Sequence, residues 1–151
     1  MPAVPEGRQE VSDRGEVVMA FDYGERRIGV AVGQTALGTA SPVGALPARG
    51  RPDWNAVERC LRDWAPDRVL VGVPYNVDGT ENVLTAACRA FAAEISSRSG
   101  LPVELVDERL TTAAAERAMI EGGARRSRRR ETIDQVAAVL LLQSHLDRRH
   151  D

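Results

Sequence analysis

Three acidic positions in this 151-residue chain stand where an α/β protein does chemistry. Asp22 ends the apolar run from Val17 to Phe21, and Glu108, with Asp107 before it, ends "VELV". Reactive groups of open α/β sheets collect at the carboxyl ends of strands. Asp134 is expected in the first turn of a helix, with Ala137, Ala138 and Leu141 at i+3, i+4 and i+7. That spacing turns its carboxylate toward a small, apolar surface, and a helix lying on the sheet would present it to the other two acids. Three carboxylates meeting in a dry place need a compensating charge, because each disfavours ionisation of the others. A hard divalent cation with oxygen ligands supplies one. Two such ions, about 3.5–4 Å apart, can activate a water and stabilise the leaving oxygen of a phosphodiester.

Each acid also has a plainer role. Asp22 could cap the Tyr23-Gly24 turn, and Glu108 could pair with an arginine such as Arg109. Asp134 could simply favour the positive end of its helix. The predicted proximity of the three is what favours the ion-holding reading.

The elements that position these acids follow from periodicity. "VVMAFD" and "IGVAVG" read as strands joined by a hairpin at "YGERR". Pro42 to Leu46 adds a short third strand. Asp53 caps a helix with Trp54, Val57, Cys60, Leu61 and Trp64 on one side, and Pro66 stops it. "RVLVGVP" has the continuous apolar character of a buried parallel strand. The loop "YNVDGT" leads into a helix marked by Leu84, Ala87, Cys88, Phe91 and Ile95, closed by Gly100 and Pro102. "VELV" is the last strand, and Thr112 caps a helix running to Gly122-Gly123. A basic loop follows. Thr132 and Gln135 then form a capping box that opens a final helix, with Ile133, Val136, Ala137, Leu140 and Leu141 as its apolar stripe. The order βββαβαβαα implies an α/β fold with a mixed sheet, its first three strands antiparallel and the later ones parallel, flanked by helices.

Composition limits the alternatives. A chain 43% apolar and 28% charged reads as one soluble globular domain, residues 16–148, behind a flexible leader at 1–15. Its longest apolar run, Val136 to Leu142, is too short to span a bilayer, and the leader lacks a signal-peptide pattern. Cys60 and Cys88 sit in helical patterns without a metal-binding spacing, which suggests a reduced, cytoplasmic setting. His145 and His150 read as solvent-exposed residues near a helix end, and Trp54 and Trp64 as core. The net charge is −2, yet every one of the 20 basic residues is arginine. Arg125, Arg126, Arg128, Arg129 and Arg130 form a dense run whose planar donor forks suit phosphate. Arg26 and Arg27, in the first hairpin, are candidates to assist from another side.

Four ordered motifs, "FDYGERRIGVAVG", "VGVPYNVDGTEN", "VDERLTTAAAE" and "IDQVAAVLLLQSHLD", together resemble the YqgF/RuvX family of pre-16S rRNA nucleases and Holliday junction resolvases, over about residues 16 to 147. The resemblance implies an RNase H-like fold and a nuclease centre dependent on Mg²⁺ or Mn²⁺, with two ions expected. Carried over by motif, its acids are Asp22, Glu108 and Asp134, with Asp107 a further candidate ligand. The Asn76 to Thr80 loop matches a family element near the site, which places Asn76 among the substrate-binding candidates or as an aid in orienting Glu108. Tyr23 stands where Phe is common. The implied partner is nucleic acid, RNA or branched DNA, bound by a monomer or a homodimer. Two other classes stay open. "D-x-G" also opens actin-like nucleotide-binding domains, although the chain has no P-loop and no lysine. A non-catalytic module binding structured RNA or a processing complex would use the same arginines.

Overall fold

Val17 to Phe21 are buried without a break, a pattern that only a strand covered on both faces produces. The computed structural model, which describes residues 15–24, 26–110 and 126–150, explains why. Side chains are described for all of these except 110, 126–134, 149 and 150. Strand β1 (Val17–Tyr23) lies in the middle of a five-stranded sheet of order β3-β2-β1-β4-β5. On one side β2 (Arg27–Gln34) pairs with it antiparallel, and β3 (Thr39–Pro47) continues the meander. On the other side β4 (Arg68–Val73) and β5 (Val103–Asp107) run parallel to it. The expected mixed sheet is therefore present, with a third strand longer than Pro42 to Leu46.

Alternation along β1 divides the core into two layers. Met19 and Phe21 point into a cluster with Val57 of α1 (Trp54–Trp64) and with Phe91 and Ile95 of α2 (Val83–Ser99). Val18 and Ala20 point the opposite way, against Leu141, Leu142 and Leu146 of α3 (Arg126–His150). Helix α3 packs on β1, β2 and β3. Asp53 caps α1 by accepting a hydrogen bond from the Ala56 amide, as its position suggested. Asn82 and Thr85 form a capping box that opens α2, and Gly100 closes it at φ 73°.

The structure corrects several expectations. Trp64 is 46% exposed because it is the last residue of α1, ahead of the left-handed Ala65 and past the turns that lie on the core. Trp54 does pack inward, against Phe91, beneath the Arg98 guanidinium. His145 is not solvent-exposed but only 4% accessible: it lies four residues beyond Leu141, on the buried stripe of a helix that runs on to His150. That stripe is Ala137, Ala138, Leu141, Leu142, His145 and Leu146, rotated from the one expected, so Val136 and Leu140 are only half-buried. "VAAVLLL" is apolar all round, and periodicity cannot choose its inward face. Ile133 and His150 have side chains outside the described residues, and so does the whole of the expected helix from Thr112 to Gly122.

The last helix also begins earlier than its capping box. It starts at Arg126, so Arg126 and Arg128 to Arg130 are helical and do not form a loop. Arginine is a good helix former, and no glycine or proline interrupts the segment. Asp134 consequently lies eight residues inside the helix, not in its first turn.

Candidate active site at the strand ends

Asp22 inherits its direction from β1. Sharing the parity of Val18 and Ala20, it belongs to the face covered by α3, and it is 4% exposed. Its ladder partner on β2 is Gly29. On the other side, Phe21 pairs with Val71, and continuing that register sets Asp22 beside Gly72 of β4. A carboxylate inside a central strand thus has glycine on both flanks. Asp22 lies in the ladder ahead of the turn, with Tyr23 still in the strand after it.

Glu108 reaches the same face from β5. Gly72 pairs with Val106, and Val106 packs under α3, so the residue two further on continues that parity. Glu108 opens a 3₁₀ turn (Glu108–Leu110) directly after β5 and is also 4% exposed. Its Cγ would lie 3.3 Å from a Cβ at position 72, and both Leu141 methyl groups would lie 3.2 Å from it. Gly72 is therefore the space over which Glu108 folds and against which α3 rests. A glycine inside a buried strand is a readable sign of such close approach, and it is a site feature that motif reading passed over.

Asp107 takes a different role. It has the parity of the opposite face, where it pairs with Val73, and Arg109 grips it with the side chain. Arg109 Nη2 donates to Asp107 Oδ2 at 2.8 Å and the Arg109 amide donates to Oδ1 at 2.9 Å. The same guanidinium lies over the Tyr75 ring, 5.3 Å from its centroid, and beside Gly79. The arginine next to Glu108 is thus engaged by Asp107. Hydrogen bonding from Arg109 holds the Asp107 carboxyl below its ordinary value of 3.8.

The Asn76–Thr80 loop is bound up in itself. Asn76 Nδ2 donates to Thr80 Oγ1 at 2.8 Å, and Asn82 Nδ2 donates to Asn76 Oδ1 at 2.9 Å. Thr80 donates to Asp78 through both its amide and its hydroxyl, which lowers the Asp78 pKa. Gly79, at φ 91°, has the left-handed backbone that this tight loop demands. The loop therefore reaches Glu108 indirectly, by holding Arg109 and with it the end of β5.

The Asp107–Arg109 pair makes stability depend on pH in a definite direction. A carboxyl depressed in the folded state stabilises above its unfolded pKa and loses that contribution as pH falls through the folded value. Replacing Arg109 with Gln should therefore destabilise the fold at neutral pH, and the gap from wild type should narrow as pH falls below about 4 and Asp107 is protonated. Urea unfolding across this range is the check. A gap unchanged at pH 2 would show that the guanidinium stabilises through its Tyr75 and Val77 contacts and not through Asp107.

Asp22 and Glu108 are the two described members of the expected acidic centre. Among the described residues no three His, Cys, Asp or Glu side chains cluster, and the Asp134 side chain lies outside them. Position 134 does precede Ala137, Ala138 and Leu141 by three, four and seven residues, and all three are buried against the sheet. Lying beyond the first turn, it is also out of reach of the helix-dipole role. Arg125 falls outside the described residues, and of Arg126 and Arg128 to Arg130 only the helical backbone is described. Arg26 is exposed and Arg27 half-buried at the start of β2. Arg49, which no motif singled out, lines the same groove as these two.

The chain matches known proteins along most of its length. A family model described as "RuvX: Holliday junction resolvase" matches residues 16–148. Curated relatives from Escherichia coli O157:H7 and Escherichia coli O7:K1, each named "Putative pre-16S rRNA nuclease", are 47% identical over 131 residues, covering 86% of this chain and 95% of theirs. Among solved structures, T. thermophilus RuvC in complex with a Holliday junction substrate superposes with a TM-score of 0.56 at 16% identity, covering 89% of this chain and 96% of that one. That likeness gives the fold, which is RNase H-like. With the family model matched from residue 16 to residue 148, the chain belongs to the RuvX family.

Proposed function

We propose that this chain hydrolyses phosphodiester bonds in nucleic acid, with Mg²⁺ or Mn²⁺, two ions, held by Asp22, Glu108 and Asp134. One observation carries the reading: two buried carboxylates share a sheet face at the ends of β1 and β5, the strands on either side of β4, with Gly72 of β4 between them. Hard oxygen donors in a water-poor site fit a small divalent cation. Such ions supply Lewis acidity to a water and charge to the leaving oxygen.

The chain's own part is to hold and orient. The ladder with β2, where Asp22 pairs with Gly29, and the β4 pairing that runs up to Phe21 hold this part of β1, so the carboxylate is placed before substrate arrives. Glu108 is seated over Gly72, and the Asp107–Arg109–Tyr75 contacts hold the segment that carries it. Position 134 precedes the buried Ala137, Ala138 and Leu141 by three, four and seven residues, the helical spacing that supports a sheet-facing carboxylate there. Arg126 and Arg128 to Arg130 stand at the amino end of that helix, where the dipole also favours phosphate.

The relatives are named for pre-16S rRNA and the family for Holliday junctions, so RNA ends and branched DNA are the substrates to compare. A cytoplasmic location suits both, and the two cysteines are buried and form no disulfide. The test is cleavage of an unprocessed 16S precursor end and of a four-way junction at matched salt, with and without Mn²⁺. Product is expected only with the metal. Tight binding with no product under any divalent condition would instead favour a non-catalytic RNA-binding module.

Changing Arg126, Arg128, Arg129 and Arg130 to Gln should weaken binding about equally across sequences. It should also reduce the dependence of log K on log salt by about 0.7 to 0.9 for each phosphate no longer neutralised. An unaltered slope would remove this helix end from the interface.

A further inference from the structure

A groove of about 1010 Å³ opens beside the end of β1, between the first hairpin, the turn after β3 and the start of α2. Its walls include Tyr23, Arg26, Arg27, Arg49, Asn82 and Val83, and among the described residues no acidic one lines it. Of the three arginines lining it, Arg26 and Arg49 are exposed, which makes this wall basic in a chain with a net charge of −2. The nearest acid in sequence to the α2 wall, Glu81, is paired with Arg89 at 3.1 Å. The wall is also partly apolar: Val83 is 88% exposed, with Leu84 beside it.

Both the size and the chemistry select a ligand class. Sites for single small molecules run from about 300 to 1,000 Å³, and this open groove stands at the top of that range, which suits a short chain segment as well as a single molecule. Guanidiniums take phosphates through paired donors. An exposed aliphatic side chain beside them suits a sugar or the face of an unpaired base, which a paired duplex would keep stacked inside. Tyr23 has the parity opposite to Asp22 and packs toward Phe91, so the groove begins on the other side of the sheet from the two carboxylates, one residue along the chain.

We propose that this groove holds a single-stranded segment of nucleic acid flanking the phosphodiester to be cut, with Arg49 as a phosphate contact and Val83 as an apolar one. The strand would pass over the carboxyl end of β1 from one sheet face to the other. The location relative to the cut rests on the nuclease reading. Occupancy of the groove does not.

Binding of a fluorescent single-stranded 20-mer, read by anisotropy in EDTA so that no cleavage intervenes, separates the two. Arg49→Gln should weaken binding several-fold at low salt and lower the salt slope by about 0.7. Val83→Asp, a change at an exposed position that leaves the core untouched, should weaken it as well. Arg62→Gln, a charge-matched change at an exposed position on α1, should bind as wild type does. If Arg49→Gln and Val83→Asp both match wild type in affinity and slope, the groove is not a strand site. A wild-type protein that binds no single strand would exclude the groove just as firmly. Loss of binding in both variants, from a wild-type protein that cleaves nothing with Mn²⁺, would keep the groove and discard the nuclease reading.

Discussion

Asp22→Asn should lose divalent-dependent cleavage by on the order of a thousand-fold or more, the scale on which removal of a group acting as part of a catalytic unit is felt. The substitution keeps the shape of the side chain, so β1 and its ladders to β2 and β4 have no steric reason to change. It removes one negative charge from a buried face that also carries Glu108. In metal-free buffer the variant should melt close to the wild-type temperature, because the shape of the side chain and the strand pairing are kept. Adding Mn²⁺ should raise the wild-type melting temperature, because the ion binds the folded state, and should leave the variant nearly unmoved. A structural role for Asp22 predicts the reverse: a lower melting temperature without metal, and the same response to Mn²⁺ in both proteins. Thermal melts and cleavage assays on one preparation decide between them.

Gly72→Ala should show the second large effect, and its signature is a separation of stability from activity. The backbone at Gly72 is not left-handed, so alanine meets no conformational penalty there. Restricting the unfolded chain would by itself stabilise by about 0.4–1 kcal/mol. Against that, the new methyl meets Leu141 at 3.2 Å and Glu108 Cγ at 3.3 Å, and overpacking of this kind costs about 1–3 kcal/mol. Both neighbours are ends or bends of flexible side chains, so they yield by a few tenths of an ångström and the net loss of stability stays small. The carboxylate of Glu108, however, is moved. Displacement of a reacting group by about 1 Å can cost on the order of a hundred-fold in rate, so a shift of a few tenths of an ångström should lower cleavage up to about 10-fold. Activity matching wild type at a matching melting temperature would mean that Glu108 is not placed by the glycine.

Much of this arrangement was legible in the residues, for identifiable reasons. A strand that is apolar on both faces and ends in an acid announces a central position with a charge at its tip, and β1 is that strand. The pairing of two cores also follows from alternation: once Val18 and Ala20 lie under one helix, Asp22 must lie there too. What could not be read was anything that depended on a third element. Asp107 and Glu108 are adjacent acids, and only the parity of β5 separates one that turns toward α3 from one that Arg109 holds. Gly72 in "VGVP" looks like an ordinary small residue until Leu141 and Glu108 approach it from two directions. The inward face of α3 was hidden because its central stretch is apolar all round. Its true start was masked by a capping box at Thr132 and Gln135 that the surrounding helix overrides. Arg49 had no local signal at all: it enters the groove because the turn after β3 folds back toward the first hairpin.

Joint binding of a divalent cation by Asp22 and Glu108 is the central claim. Anomalous diffraction from crystals soaked in Mn²⁺ addresses it directly. A manganese peak is expected on the α3 face of the sheet, bound by carboxylate oxygens of both residues and abolished in Asp22→Asn crystals. A wild-type crystal of a cleavage-competent preparation with no peak there, or with manganese bound elsewhere, would contradict it.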